Sequence, residues 1–188
     1  MFEDFETKPS VVVVYTGEGK GKTSAGLGLL VRALGTGWRV AFVQFIKHWE
    51  VGEHQFIKDI EPIYKDNLKM FRGGKGFYDA GEMSAAGISE QQHKQAAQKT
   101  LEFAIKASQS GEFDLVICDE INNAMHDELI KVEQVKDMIK NRKIDTNLCL
   151  TGRDFPKELL KDVDIATNMT KMKHHFDDKF MANKGIDY

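Results

Sequence analysis

Residues 11–15 read Val-Val-Val-Val-Tyr, and the next eight are Thr16-Gly17-Glu18-Gly19-Lys20-Gly21-Lys22-Thr23. A β-branched apolar run predicts a buried strand. Leu27, Leu30, Val31 and Leu34 then recur at spacings of three and four and stop at Gly35 and Gly37, which predicts an amphipathic helix. Strand, glycine-rich turn and helix N-terminus in this order form a phosphate cradle. The glycines let the backbone N–H groups turn inward, the helix start adds partial positive charge, Lys22 adds a full charge, and the Thr23 hydroxyl can ligate Mg²⁺. The usual pattern G-x-x-x-x-G-K-[ST] would place glycine at position 16; here Thr16 stands there and Gly17 follows, so the loop is one residue shorter between its end glycines.

Other short apolar runs, at 40–45, 68–71, 115–118, 148–150 and 165–166, alternate with longer segments of helical period. Several are apolar on both faces, as parallel strands covered from both sides must be. The expected class is α/β, a doubly wound, mostly parallel sheet with helices on both faces, P-loop NTPase-like. With 188 residues and no repeat or linker, one domain spanning residues 1–188 is expected. Ser89 and Gln92 form a capping box before Ala97, Leu101, Ala104, Ile105 and Ser108, with Gly111 as the stop. Leu129, Val132, Val135, Met138 and Ile139 repeat the helical pattern, whereas 73–87, with five glycines, reads as a long loop, either a lid or ligand loop or a variable surface loop.

Composition excludes several classes. The net charge of −3 gives no basic field for nucleic acid or an anionic membrane, so phosphate binding must be local. The longest apolar run has five residues, far short of the roughly 18 that span a bilayer. The start, Met1-Phe2-Glu3-Asp4-Phe5-Glu6, is acidic where a secretory signal is basic and then apolar, so the cytoplasm is expected. Cys118 and Cys149 lie in predicted strands and read as buried reduced thiols. No spacing among His48, His54, His93, His126, His174 and His175 fits a transition-metal site.

At the end of the 115–118 run stand Asp119 and Glu120. Behind a phosphate loop, carboxylates at a strand's C-terminal end are candidate Mg²⁺ partners. Thr151-Gly152-Arg153 follows the 148–150 run and brings an arginine to the same sheet edge, where it can meet phosphate or form a surface salt bridge.

Several separate motifs in order, from about Val13 to Tyr188, resemble the P-loop family of ATP:corrinoid adenosyltransferases. They are the short loop itself; Arg32-Ala33-Leu34-Gly35; Val43-Gln44-Phe45-Ile46-Lys47 with Gly52-Glu53; Gly74-Lys75-Gly76-Phe77; Asp119-Glu120-Ile121-Asn122; Leu150-Thr151-Gly152-Arg153 with Pro156; Lys173-His174; and the ending Lys184-Gly185-Ile186-Asp187-Tyr188. The resemblance implies transfer of adenosyl from ATP to the cobalt(I) of a reduced corrinoid with release of triphosphate, in cobalamin biosynthesis or salvage. It implies Mg²⁺ or Mn²⁺ as cofactor, ATP and corrinoid as ligands, a homodimer and a reductase partner. Carried over residue by residue, the nucleotide set is Gly17, Glu18, Gly19, Lys20, Gly21, Lys22, Thr23, Ser24, Arg32 and Arg153. The metal set is Thr23, Glu120 and Asp119, with Glu120 the nearer carboxylate, and the catalytic set is Lys22, Glu120 and Phe77. Phe77 is assigned to the lower face of the corrinoid. Asp79 stands where the family carries a tryptophan, which leaves Tyr78 or Trp49 to fill that place, His48 stands for a glycine, and Asn168 for a glutamate. Two other readings of the same loop are a generic P-loop ATPase or kinase and a non-catalytic ATP- or corrinoid-binding module.

Overall fold

The computed structural model describes residues 4–47, 50–76 and 87–188. Six strands, β1 (Val12–Thr16), β2 (Val40–Gln44), β3 (Leu68–Arg72), β4 (Leu115–Asp119), β5 (Asn147–Thr151) and β6 (Ile165–Asn168), form one sheet in the order β3-β2-β4-β5-β1-β6. Every pairing is parallel. All six apolar runs are therefore strands.

Side chains alternate along each strand, so the sheet has two apolar faces. Val12, Val14, Ala41, Val43, Val116, Cys118, Leu148 and Leu150 pack with helices α3 (Glu90–Ser110), α4 (Ile121–His126) and α5 (Val132–Asn141). Val40, Phe42, Leu115, Ile117 and Cys149 face the other way, onto α1 (Lys22–Gly35) and α2 (Gly52–Tyr64). Cys118 and Cys149 thus lie on opposite faces, both free and buried, and burial pushes the Cys118 thiol up to about 12.

The Ser89–Gln92 capping box is formed, Gln92 N–H donating to Ser89 Oγ at 3.3 Å and Ser89 N–H to Gln92 Oε1 at 2.8 Å. Gly111 ends α3 at φ 73°, a conformation open to glycine. Two features depart from the sequence expectation. Strand β6 is exposed along its whole length; it forms the sheet edge, pairing only with β1 among the described residues. Leu129 precedes α5, its N–H bonding the Ala124 carbonyl in the turn that leaves α4. Helix α2 runs through Pro62, two residues from its end, where the missing N–H forgoes one helical hydrogen bond. Of the loop 73–87, Gly73 and Gly76 donate to the carbonyls of Gln44 and Ile46, which fastens its start to the end of β2, and residues 77–86 lie outside the described residues.

Parallel strands send all their C-terminal ends to one edge. The turns after β1, β2, β4 and β5 therefore meet there.

Candidate active site

The turn after β1 holds its shape by glycine. Gly17 and Gly21 have φ of 100° and 104°, and a Cβ on Gly17 would stand 2.2 Å from Asn168 Oδ1 and 2.7 Å from the Met169 carbonyl oxygen. Gly19 is equally confined, at 2.7 Å from the same carbonyl. Gly19 N–H donates to that oxygen at 2.6 Å, and Met169 N–H returns to the Thr16 carbonyl at 2.7 Å, so the loop lies against the chain that leaves β6. Gly21 opens α1 with no side-chain cap on the first turn, where Thr23 and Ser24 lie.

Lys22 folds back over the loop and donates to the carbonyls of Gly17 at 2.7 Å and Gly19 at 2.6 Å. Burial lowers its pKa, and the neighbouring Arg153 lowers it further. Arg153 Nη1 pairs with Glu18 Oε2 at 2.6 Å, and Lys20 pairs with Asp187 of the closing segment. Four cationic or anionic residues assigned to the nucleotide from sequence, Glu18, Lys20, Lys22 and Arg153, are thus gathered at one loop. Arg32 is not. It is exposed ten residues along α1, about 15 Å of helix axis from Lys22.

The two carboxylates at the end of β4 have opposite surroundings. Asp119 is fully buried and each of its oxygens has a donor: Gln44 Nε2 donates to Oδ2 at 2.9 Å, Thr151 Oγ1 donates to Oδ1 at 2.7 Å, and Lys47 Nζ lies 4.0 Å from Oδ2. Glu120 takes the left-handed conformation at φ 61°, its N–H donating to Thr151 Oγ1 at 3.0 Å. Its Oε2 is buried with no hydrogen-bond partner. Burial, then the Asp119 charge, pushes the Glu120 carboxyl up to about 7.

Four residues join the site without having been assigned to it from sequence: Gln44, Lys47, His54 and Thr151. Lys47 donates to Glu53 Oε1 at 2.9 Å. Burial opposes its charge, but Asp119, Glu120 and Glu53 outweigh that cost and raise its pKa. His54 is held below its ordinary value by burial and then by Arg72. Asn122 Nδ2 donates to the Gly152 carbonyl at 3.0 Å and ties α4 to the turn after β5.

The family described as ATP:corrinoid adenosyltransferase BtuR/CobO/CobP matches residues 8–188. The chain belongs to this family. A corrinoid adenosyltransferase of Sinorhizobium sp. is 31% identical over 95% of this chain and 80% of its own length. One from Escherichia coli strain K12 is 29% identical over 95% of this chain and 85% of its own, and corrinoid adenosyltransferase CobA of Salmonella typhimurium is 27% identical with the same coverage. Among solved structures, flagellar accessory protein FlaH from Methanocaldococcus jannaschii superposes with a TM-score of 0.52 at 13% identity, over 86% of this chain and 71% of its own, a likeness of fold alone.

Of the family departures, Asn168 lies within the described residues and abuts the phosphate loop, its Nδ2 donating to Thr170 Oγ1 at 3.3 Å. Phe77, Tyr78, Asp79, His48 and Trp49 lie outside the described residues. Among the described residues no helix is long and apolar enough to cross a membrane.

Proposed function

We propose that this chain transfers the 5′-deoxyadenosyl group of ATP to the cobalt(I) of a reduced corrinoid and releases triphosphate. The cobalt(I) electron pair attacks C5′, a cobalt–carbon bond forms, and the C5′–O5′ bond breaks with its pair leaving on the triphosphate. Cobalt ends two electrons more oxidised, and no proton need move. The observation that carries this reading is the family match across residues 8–188.

The protein's task is to hold the reacting atoms in line and to neutralise the leaving group. Lys22, Lys20, Arg153 and the N–H groups of residues 17–24 are proposed to receive the triphosphate, with Lys22 exchanging its loop carbonyls for phosphate oxygens. Its departure from the Gly17 and Gly19 carbonyls costs two neutral acceptors and gains charged ones.

Mg²⁺ or Mn²⁺ fits this donor set. The orphaned, buried Glu120 Oε2 beside the Asp119 charge favours a hard cation, and the Thr23 hydroxyl sits in the first turn of α1. Among the described residues no three His, Cys, Asp or Glu side chains cluster as a metal site, but an ion held largely by phosphate and water needs only one or two protein oxygens. When bound, the ion would offset charge on the leaving triphosphate. Glu120 is the proposed ligand; Asp119, whose oxygens already accept two hydrogen bonds, is proposed to hold the edge around it. Phe77 is proposed to press on the lower face of the corrinoid. The family resemblance also supports a homodimer, a reductase partner and a cytoplasmic location.

The test supplies ATP labelled with ¹³C at C5′, Mg²⁺ and chemically reduced corrinoid. The label is expected to become cobalt-bound. Retention of the label in ADP or AMP, with turnover independent of corrinoid, would move the chain to the generic ATPases.

A further inference from the structure

Behind the Asp119–Glu120 edge runs a hydrogen-bond chain that crosses from α2 through β2 and β4 to β5. Val51 N–H lies 3.3 Å from His54 Nδ1. A backbone N–H can only donate, so Nδ1 accepts and the ring proton sits on Nε2. His54 Nε2–H then donates to Gln44 Oε1. This orients the Gln44 amide with Nε2 toward Asp119 Oδ2, at 2.9 Å. On the far side, the Thr151 hydroxyl donates to Asp119 Oδ1 at 2.7 Å and accepts the Glu120 N–H at 3.0 Å.

Each member has one role open to it. A carboxylate only accepts, so Gln44 and Thr151 must both donate to it, and the Thr151 oxygen is left free to take the Glu120 amide. His54, Gln44, Asp119 and Thr151 are all buried, at 5%, 0%, 0% and 0% exposure, so water cannot replace a lost partner. The register explains the meeting: Gln44 and Asp119 are direct partners across the β2–β4 pair, although 75 residues separate them. The ion pair between Lys47 and Glu53 fastens the start of α2 to the same edge.

We propose that His54 and Gln44 are positioning residues for the adenosyl transfer, acting through Asp119 and Thr151 to hold the Glu120 carboxylate where the divalent cation is received. The idea rests on the cation assignment made above, and its test is arranged so that the two can fail separately.

The experiment measures Mn²⁺ binding in the presence of ATP by electron paramagnetic resonance, ATP binding by calorimetry, and adenosyl transfer, on the purified full chain. Gln44→Met keeps the length of the side chain and removes both hydrogen bonds. It is expected to weaken Mn²⁺ binding by about tenfold and lower kcat similarly, the usual scale for loss of a residue that supports a metal ligand. ATP affinity without metal should stay within about threefold. His54→Phe should give the same pattern more weakly, and His54→Gln, whose amide can still donate to Gln44, should recover it to within about threefold of the parent.

Wild-type Mn²⁺ affinity and kcat in a folded Gln44→Met variant would overturn the proposal. So would metal-free ATP affinity, Mn²⁺ affinity and melting temperature falling together in His54→Phe with no recovery in His54→Gln, the signature of a merely structural role. Because the Mn²⁺ and ATP readouts need no corrinoid, an inactive parent protein would defeat the proposed function while leaving this test intact.

Discussion

The β4–β5 side of the site and the phosphate loop face each other and are built on different principles. On the first, Asp119 is wholly buried and accepts from Gln44 and Thr151, so it cannot turn without leaving buried partners unmatched. On the second, Glu18 and Arg153 pair with each other while keeping 57% and 52% of their side-chain surface in solvent, and half-buried Lys22 rests on carbonyls of its own loop. One side is fixed before any ligand arrives. The other is held by contacts that phosphate oxygens can take over. The proposed receipt of a cation on the first side and of a triphosphate on the second would draw on both.

The comparison breaks most readily at Lys22. Lys22→Ala should lower turnover by about 100- to 1,000-fold, the cost of removing one charge-stabilising donor, and weaken ATP binding. Steady-state rates and calorimetry check both, and wild-type values would remove the loop from the mechanism. Next is Glu120→Gln, which should raise the Mg²⁺ or Mn²⁺ concentration required for activity by about tenfold or more while the protein stays folded. If Asp119→Asn shows that metal dependence and Glu120→Gln does not, the two carboxylates exchange roles.

Glu120 also sets a pH dependence. With its carboxyl pushed up to about 7, a proton competes with the cation increasingly as pH falls below that value. The metal requirement of the parent should rise between pH 7.5 and 6, a range of about one proton equilibrium, and that of Glu120→Gln should stay flat. A parallel rise in both proteins would place the titrating group elsewhere.

Smaller effects sharpen the contrast away from the fixed edge. Arg39 and Asp114 meet through two side-chain contacts of 2.8 and 3.1 Å and a backbone bond, and these bonds hold the Asp114 carboxyl below its usual value of 3.8. A depressed carboxyl contributes stability above its unfolded pKa and loses it as pH falls through the folded one. Asp114→Asn should therefore cost about 1 kcal/mol near neutrality, discounted for the pair's exposure, and the difference from the parent should shrink below about pH 4. Thermal melts across pH measure it. Asp187→Asn should matter least: it frees Lys20 from an ion pair, and ATP affinity should change by less than about fivefold.

Much of this was legible in the residue order. Parallel strands buried on both faces must be continuously apolar, so all six runs marked strands; the exposure of β6 was hidden because a run such as Ile165-Ala166 carries no mark of lying at an edge. Helix α3 was legible from its capping box and closing glycine, whereas α2 carries Pro62 and α4 has only six residues, too few to show a period. The phosphate loop and the Asp119-Glu120 pair are local and could be read as motifs. Thr151 could be placed at the same sheet edge but not on Asp119 itself, and Gln44 and His54 could not be placed there at all, since strand register and helix packing join them across long stretches of chain. The same holds for Asp187, which meets Lys20 from the other end of the sequence. Arg32, carried over with its motif, stands at the far end of α1 from Lys22, a separation that helical periodicity alone implies.

The central claim is that the C5′–O5′ bond of ATP is the bond that breaks, and ³¹P NMR of the phosphate products during a single turnover with reduced corrinoid tests it most directly. The account predicts intact triphosphate in equal amount to alkylated corrinoid. ADP with orthophosphate, formed at the same rate with and without corrinoid, would contradict it.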